Sequence, residues 1–424
     1  MTSKASFGET LEASSRPLLE PISTLIRLIF LLFLSRISSI IGSKGDEPVQ
    51  KYIWEHPDWP NFVYRTDECQ QALYQYAREA GTLIGNVAHL QEEDKTAALI
   101  DLMVAEAVRT SQIEGENLDR QDVRSSIRNQ LGLNPIPEPV RDPRANGISA
   151  LMISARQKFN TPLDDTLLFT WHDMVIADKF LRERILVGQY RDEPMQIVSG
   201  AIGHERVHYN APPADRVPEE MQFFITWFND TAPGGKLDTG LPGPIRAAVA
   251  HLYFECIHPF ADGNGRIGRA IAEIALSQDL ASPVLLSLST TIQAEREQYY
   301  EALAQASRHD LDITEWINYF VGVVLKSQLQ SKLMIDFVLE KARFWDRFNE
   351  RLNERQSRVI TRMFQEGLDG FQGGISAKKY VTITGTSKAT ATRDLAELLE
   401  IGAIRQLPGG GRNTRYELAI ANED

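Results

Sequence analysis

The chain has 424 residues, 43% of them hydrophobic and 24% charged, with a net charge of −12 and two cysteines. That length holds two or three domains of ordinary soluble composition. The acidic balance excludes bulk nucleic-acid binding but not a local basic face, and Cys69 and Cys256 make neither a disulfide framework nor, by themselves, a zinc site, which fits a reducing, cytoplasmic setting.

Residues 1–45 read as a leader. Leu25 to Ile41 is apolar but broken by Arg27 and Arg36. Its unbroken stretch, Leu28 to Leu34, is too short to span a bilayer, which takes about 20 apolar residues. A central arginine in a span also costs about 2.5–3.5 kcal/mol. No small-residue cleavage site follows, as a signal peptide requires. The leader is therefore read as disordered or membrane-associated, as an interfacial helix, or as sequence upstream of the true start. A spanning helix is the least favoured reading.

The segment Tyr52 to Pro60 holds Trp54, Pro57, Trp59 and Pro60, and is expected to wrap as an extended arm on a helical body. From Asp67 the pattern is helical. Leu99, Leu102, Met103, Ala107 and Val108 recur at three- and four-residue steps, which predicts a helix that runs to Thr110 and Glu114 and stops at Gly115. The proline-rich Asn134 to Pro139 places a boundary near residue 140. A helix around Thr166 to Ile176 and a turn at Val187 to Arg191 follow. A hairpin is expected within Met195 to His208, ended by Tyr209 to Pro213. Val217 to Asn229 reads as helix and Ala232 to Gly243 as a flexible loop. Pro244 suits the first turn of a helix over Ile245 to Ile257, which delivers His258 at its end. A second helix begins in Gly263-Asn264-Gly265, and helices continue through Phe344.

From Arg355 the composition changes. Gln356 to Phe364, a segment starting at Ser376, and Ser387 to Leu399 read as helices, the last with Leu395, Leu398 and Leu399 inward. Ala403 to Leu407 and Thr414 to Leu418 read as strands joined by Pro408-Gly409-Gly410-Gly411. Three helices and a glycine-tipped hairpin outline a winged helix.

The run His258-Pro259-Phe260-Ala261-Asp262-Gly263-Asn264-Gly265-Arg266-Ile267-Gly268-Arg269 carries the chemistry. The two glycines around Asn264 permit a backbone that points successive amides inward as an anion nest. A helix N-terminus adds roughly +0.5 charge. Arg266 and Arg269 can fork onto phosphate oxygens. Asp262 is one carboxylate beside that site, the usual way to hold Mg²⁺. His258 suits proton removal from a hydroxyl at neutral pH. Phe260 is expected to turn inward and anchor the loop. A capping histidine with surface arginines would not bring base, acid, nest and two guanidiniums into one loop.

The run resembles the signature of Fic proteins, His-Pro-Phe-x-(Asp/Glu)-Gly-Asn-Gly-Arg-x-x-Arg, at every fixed position. Resemblance extends to Gly188-Gln189-Tyr190-Arg191, Val198-Ser199-Gly200 and Tyr299-Tyr300, covering roughly residues 100 to 310. It implies a mostly α fold, a Fic-type helical core with a small β-hairpin flap, beside the C-terminal winged helix-turn-helix domain. The domains expected are the leader at 1–45, an N-terminal helical region at 46–140, the catalytic core at 141–348 and the winged helix at 349–424.

The resemblance also implies an activity. Fic proteins mostly transfer AMP from ATP to a Ser, Thr or Tyr hydroxyl of a target protein and release pyrophosphate. His258 would be the base and Asp262 the Mg²⁺ ligand. Asn264, with the nest at Gly263, Gly265 and Arg266, would hold the α-phosphate, and Arg269 would meet the γ-phosphate. Tyr299 and Tyr300 would lie near the nucleotide. Val198, Ser199 and Gly200 would form the flap that registers the target by strand addition. The chain departs from some relatives in carrying Ser307 where they carry Asn.

Upstream, Thr110-x-x-x-Glu114-Gly115 looks like the inhibitory motif of the same family. A carboxylate paired with Arg269 would occupy the guanidinium that the γ-phosphate needs, so ATP could bind only in a pose wrong for in-line attack. The same glutamate could instead orient a water and remove AMP from a modified protein. Sequence leaves brake and hydrolytic base both open, as it does another donor, such as a different nucleotide or a phosphocholine carrier.

Other groups point less far. His204 and His208 fall in the hairpin and read as target-facing or solvated. His251 and His258 stand seven apart on one helix face, with no HExxH pattern to suggest zinc. Cys256 reads as core. In the C-terminal module Lys378, Lys379, Lys388, Arg393, Arg405, Arg412 and Arg415 outnumber Asp394, Glu397 and Glu400. Ser387 to Arg393 would face a major groove, and a DNA-binding regulator is the alternative from another class. The expected partners are ATP and a protein bearing a hydroxyl. DNA or a second copy of the chain would be met through the winged helix, which also serves as a protein contact in other folds.

Overall fold

Every residue from Gly243 to Ile257 is buried, and a helix covered on all sides belongs at the centre of a bundle. The computed structural model describes residues 52–199, 206–308, 310–365, 371, 373–408 and 414–420, and builds a helical body around that segment. In chain order the helices are α1 (Gln70–Ala88), α2 (Glu92–Ile113), α3 (Arg120–Gln130), α4 (Pro143–Gln157), α5 (Asp165–Val175), α6 (Lys179–Arg182), α7 (Val217–Asp230), α8 (Gly243–Ile257), α9 (Asn264–Asp279), α10 (Leu288–Ala294), α11 (Arg296–Ala306) and α12 (Thr314–Phe348). Then come α13 (Glu354–Phe364), α14 (Ala377–Thr384) and α15 (Lys388–Glu400). The strands form two antiparallel pairs, β1 (Gln196–Ser199) with β2 (Arg206–Asn210) and β3 (Ile404–Gln406) with β4 (Tyr416–Leu418). The leader, Gly200, His204, Gly409 to Gly411 and Arg412 lie outside the described residues.

Helix α9 lies along α8 because both carry small residues. Ala247, Ala248, Ala250, Ala270, Ala272 and Ala275 are all buried. Gly268 lets the backbones approach closely, since an added Cβ there would stand 2.6 Å from the Glu255 carboxyl. Capping holds the helix starts: Asp164 accepts from Leu167 N–H at the head of α5, and Ser287 caps α10. Strand β1 pairs Gln196 with Asn210 and Ser199 with Arg206, with a bulge between Ile197 and Val198.

The aromatic segment before α1 makes only one 3₁₀ turn, Ile53–Glu55, and otherwise wraps the body. Ile53 N–H donates to Ser307 O at 3.0 Å, Trp54 Nε1 to Asn210 O at 2.8 Å, and Trp59 Nε1 to Glu220 Oε2 at 2.8 Å. These bonds tie the arm to the end of α11, to β2 and to α7.

Beyond the body, Phe344 and Phe348 at the end of α12 join a separate core with Val359, Ile360, Tyr380, Leu395, Leu398 and Ile404. Leu399 is not part of it. At 39% exposed it faces solvent, whereas Leu395 and Leu398 are buried. The buried stripe of α15 runs through Ala391, Asp394, Leu395 and Leu398, and Leu399 lies about 80° around the helix from Ala391. Asp394 draws the stripe toward itself. Its carboxylate receives Arg355 Nε at 2.9 Å and the Tyr380 hydroxyl at 3.0 Å. No helix among the described residues is long and apolar enough to cross a membrane.

Candidate active site

His258 ends α8 with its backbone in the left-handed region, φ 50° and ψ 60°. For a residue with a Cβ that conformation costs about 1–3 kcal/mol and persists only where the surroundings enforce it. Arg191 enforces it. Its Nε donates to His258 O at 2.8 Å, Nη1 to Glu193 O at 3.0 Å and Nη2 to Pro212 O at 2.6 Å, while its own N–H reaches Pro259 O at 2.9 Å. Buried at 4% exposure, this guanidinium binds backbone carbonyls and orders the loop. The turn that brings it in starts at Gly188 (φ 72°), whose N–H donates to His172 Nδ1 at 3.1 Å. The His172 ring stacks on Phe260 with centroids 4.2 Å apart. Burial pushes its pKa down to about 4, so the ring is a neutral wedge under the loop.

The loop closes on itself through Asn264. Phe260 N–H donates to Asn264 Oδ1 at 2.9 Å, and Asn264 Nδ2 donates to Phe260 O at 2.7 Å. Phe260 is fully buried, as its place in the motif predicts. The Asn264 side chain is thus taken up by the loop, and what it can offer an anion is its backbone. Gly263 (φ 85°) turns the chain into α9, where a Cβ would stand 2.8 Å from Val175 Cγ2. The amides of Asn264, Gly265 and Arg266 form the first turn, which has no intrahelical acceptor.

An acid already sits over that turn. Helix α2 stops at Gly115 (φ 84°), with Gly115 N–H on Gln112 O at 3.0 Å and Glu116 N–H on Ser111 O at 2.9 Å, a Schellman ending. The ending throws Glu114 across the start of α9. Glu114 Oε1 accepts from Arg269 Nη2 at 2.6 Å, and a Cβ on Gly265 would overlap this oxygen. Arg269 is 1% exposed and also donates from Nε to Thr110 Oγ1 at 2.8 Å. Glu114 thus forms an ion pair with Arg269, the contact that the resemblance of the upstream motif implies.

Arg266 takes different partners. Its Nη1 meets Glu116 Oε2 at 3.0 Å and its Nη2 meets Asp262 Oδ1 at 3.1 Å. Asp262 Oδ1 also accepts the Gly263 N–H. Its side chain is half-exposed, and Oδ2 carries no bond among the described residues. No group of three metal-binding side chains occurs among the described residues. Mg²⁺ sites built from one carboxylate, phosphates and waters need none.

His258 keeps a neutral ring. Burial first, and then the nearby Arg191 charge, push its pKa down to about 4. His251 does not share a face with it. His258 has left the helix, while His251 is fully buried with Nε2 2.8 Å from the Tyr299 hydroxyl. Tyr299 is therefore interior. Tyr300 is 40% exposed, and its hydroxyl donates to Ile113 O at 3.3 Å, one residue before Glu114. Val198 and Ser199 lie in β1. Cys256 is buried, its thiol pushed up by burial.

His258, Asp262, the start of α9, Arg269, Glu114 and Tyr300 thus gather at one place. Sequence reasoning passes over Arg191, His172 and Glu116. Arg191 stands in a turn that the family resemblance already marks, but nothing in that turn says that its donors go to the loop.

Residues 52–133 match a family described as Domain of unknown function (DUF4172), and residues 162–276 match the Fic/DOC family. Glu114 and Glu116 fall in the first match, and the loop falls in the second. The protein adenylyltransferase fic-1 of Caenorhabditis elegans is 30% identical over 154 residues, which are 35% of this chain and 27% of that protein. Its Caenorhabditis briggsae counterpart is 34% identical over 144 residues, 33% of this chain and 25% of that protein. The chain spans about a quarter of the length of these curated relatives. A crystal structure of a Fic family protein from Desulfovibrio desulfuricans G20 is similar at a TM-score of 0.48 and 22% identity, over 83% of this chain and 97% of that one.

Proposed function

We propose that this chain, which carries a Fic/DOC domain, transfers AMP from ATP to a hydroxyl of a target protein and is held in check by Glu114. The observation that carries the reading is the seat of the Glu114 carboxylate. An internal anion lies over the first turn of α9 and on Arg269, where phosphates would bind.

With Glu114 withdrawn, the amides of that turn and Arg269 would receive the phosphates of ATP. The neutral His258 ring accepts the proton of the incoming hydroxyl at Nε2, since Nδ1 faces Glu255. The hydroxyl oxygen bonds to the α-phosphorus, the bond from that phosphorus to the bridging oxygen breaks, and its electron pair leaves on pyrophosphate. The open Oδ2 of Asp262 fits Mg²⁺, which would neutralise phosphate charge when bound. The edge of β1 would register a target segment by main-chain hydrogen bonds, reading little of its sequence.

The three helices and the β3–β4 pair of residues 349–424 are read as a winged helix. Arg393 and Arg405 lie in exposed pairs with Glu397 and Glu417, and exposed pairs are weak enough to yield to a phosphate backbone. Duplex DNA binding by the full chain that weakens steeply with salt would support that contact.

The test of the enzymatic reading is incubation with α-labelled ATP and Mg²⁺. Glu114→Gly is expected to label itself about 10- to 100-fold faster than wild type, because a charged hydrogen bond worth about 1.5–3 kcal/mol no longer competes for Arg269. His258→Ala in the same background is expected to label nothing. Equal labelling by folded wild type and Glu114→Gly would reject the brake. Faster loss of AMP from a premodified protein by wild type than by Glu114→Gly would make Glu114 a hydrolytic base.

A further inference from the structure

Helix α8 carries a buried acid beside the proposed base. Glu255 lies one turn before His258 and is 6% exposed. Its Oε1 has no hydrogen-bond partner among the described residues, and neither has His258 Nδ1. The two groups face each other, with Glu255 Oε2 3.6 Å from His258 Nδ1. Leaving a buried polar group unpaired costs about 1–3 kcal/mol. A leucine would fill the same space without that penalty. The neighbouring helix also makes room for the carboxyl, since only a residue lacking Cβ at 268 clears Glu255 Oε1.

We propose that Glu255 is a positioning residue for His258: a carboxyl oxygen accepts the imidazole Nδ1–H, which presents Nε2 to the target hydroxyl and stabilises the ring once it carries the extra proton. The inference rests on the adenylyl-transfer reading and names a further part of the same site. A gap of 3.6 Å is too long for a hydrogen bond, but catalytic contacts often stand long before substrate arrives and tighten in the complex. The acid serves in either ionisation state, because a neutral carboxyl keeps an acceptor oxygen. Burial pushes its pKa up to about 8, with the Arg269 charge opposing and the Glu114 charge adding. Around His258 the facing charges are Arg191, Glu114 and Asp262. The main-chain carbonyl of Glu255 also faces the ring. Variants of the side chain leave that carbonyl in place and so separate the two acceptors.

The test uses the full chain with Glu114→Gly. Glu255→Leu keeps the volume and removes the acceptor. It is expected to lower kcat about 10- to 100-fold with KM for ATP unchanged, as a small misplacement of a catalytic group does. Glu255→Gln, which retains an acceptor oxygen, is expected to recover most of that loss. A purely structural role would reduce the folded fraction and leave kcat per folded molecule alone. The second readout needs no activity: ¹⁵N-histidine spectra, with His258 assigned by its loss in His258→Ala. They are expected to show the Nδ1-protonated tautomer in the parent and a mixture of tautomers in Glu255→Leu. An unchanged tautomer, or an unchanged kcat, in Glu255→Leu would overturn the proposal. If Glu114→Gly itself transfers no AMP, the adenylyl reading fails, and the tautomer alone decides the role of Glu255.

Discussion

Glu116 Oε2 stands 3.0 Å from Arg266 Nη1, just two residues beyond Glu114, which stands 2.6 Å from Arg269. One turn of chain thus grips both guanidiniums of the His258–Arg269 segment. Gly115 makes the tight turn between the two carboxylates available, because its positive φ suits a residue without a Cβ.

Glu116→Gln should therefore loosen what Glu114→Gly leaves behind. In that background it is expected to raise the initial labelling rate a further ~3- to 10-fold, the effect of losing about 1 kcal/mol of a partly exposed ion pair. Arg266 keeps Asp262 as a partner, so the fold should survive, and a thermal melt checks this. A double variant no faster than Glu114→Gly would show that Arg266 is no part of the restraint.

Arg191→Lys tests the scaffold under His258. A lysine brings a point charge in place of a planar fork and cannot reach the same set of carbonyls. The left-handed backbone at His258 should relax. Transfer is expected to fall about 100-fold while ATP binding, followed by calorimetry with Glu114→Gly, stays within a few-fold. A parallel loss of ATP affinity would assign Arg191 to binding instead.

Gly263→Ala should destabilise the protein by about 1–3 kcal/mol, since φ is 85° there and the new methyl meets Val175. Denaturant unfolding measures it. Gly85 lies within α1 with open space at the Cβ position, so Gly85→Ala is expected to be neutral or stabilising.

The pH dependence has two arms. Burial pushes His258 and His172 down to about 4 and His251 to about 3. In the unfolded chain these imidazoles bind protons near pH 6.5. The unfolded state therefore takes up more protons, and stability falls as pH drops from 6.5 toward 4. Glu255 and Glu273 act oppositely. Burial raises them to about 8 and about 7, so the folded chain holds protons that the unfolded one releases, and stability falls as pH rises toward 8. The melting temperature is expected to peak near about pH 6–7 in scanning calorimetry. A steady rise from pH 6 to 9 would contradict the assignment. The transfer rate of Glu114→Gly should keep its plateau down to about pH 5.5, because His258 is still neutral there.

The loop and the proposed brake are legible in the sequence because the residues of each are contiguous. His258 to Arg269 fit one turn and one helix start, and Thr110 to Gly115 fit one helix end. Arg191 and Glu116 are not legible: their partners lie 67 and 150 residues away, and no motif links them to the loop as one links Glu114, itself 155 residues from Arg269. Spacing rules reach only a few turns of helix. The apolar period does not single out α3, α4 and α6, whereas most of the helices and the two strand pairs fall where it places them. Leu399 does not, because the buried Asp394 and its bonds to Arg355 and Tyr380 set which face of α15 turns inward. Asn264 reads from its motif as a phosphate contact; its side-chain amide ties the loop to Phe260, which leaves its backbone N–H for an anion. Motif spacing reports that a residue is needed without saying which of its atoms is used.

Helix α12 runs unbroken for 35 residues, with Trp316 and Phe320 in the central core and Phe344 and Phe348 in the C-terminal one. Anyone shortening this protein meets a practical difficulty there. A cut before Phe344 strips the distal unit of two aromatic rings, and a cut after Phe348 leaves those rings bare in water, so neither fragment should be well behaved when expressed by itself.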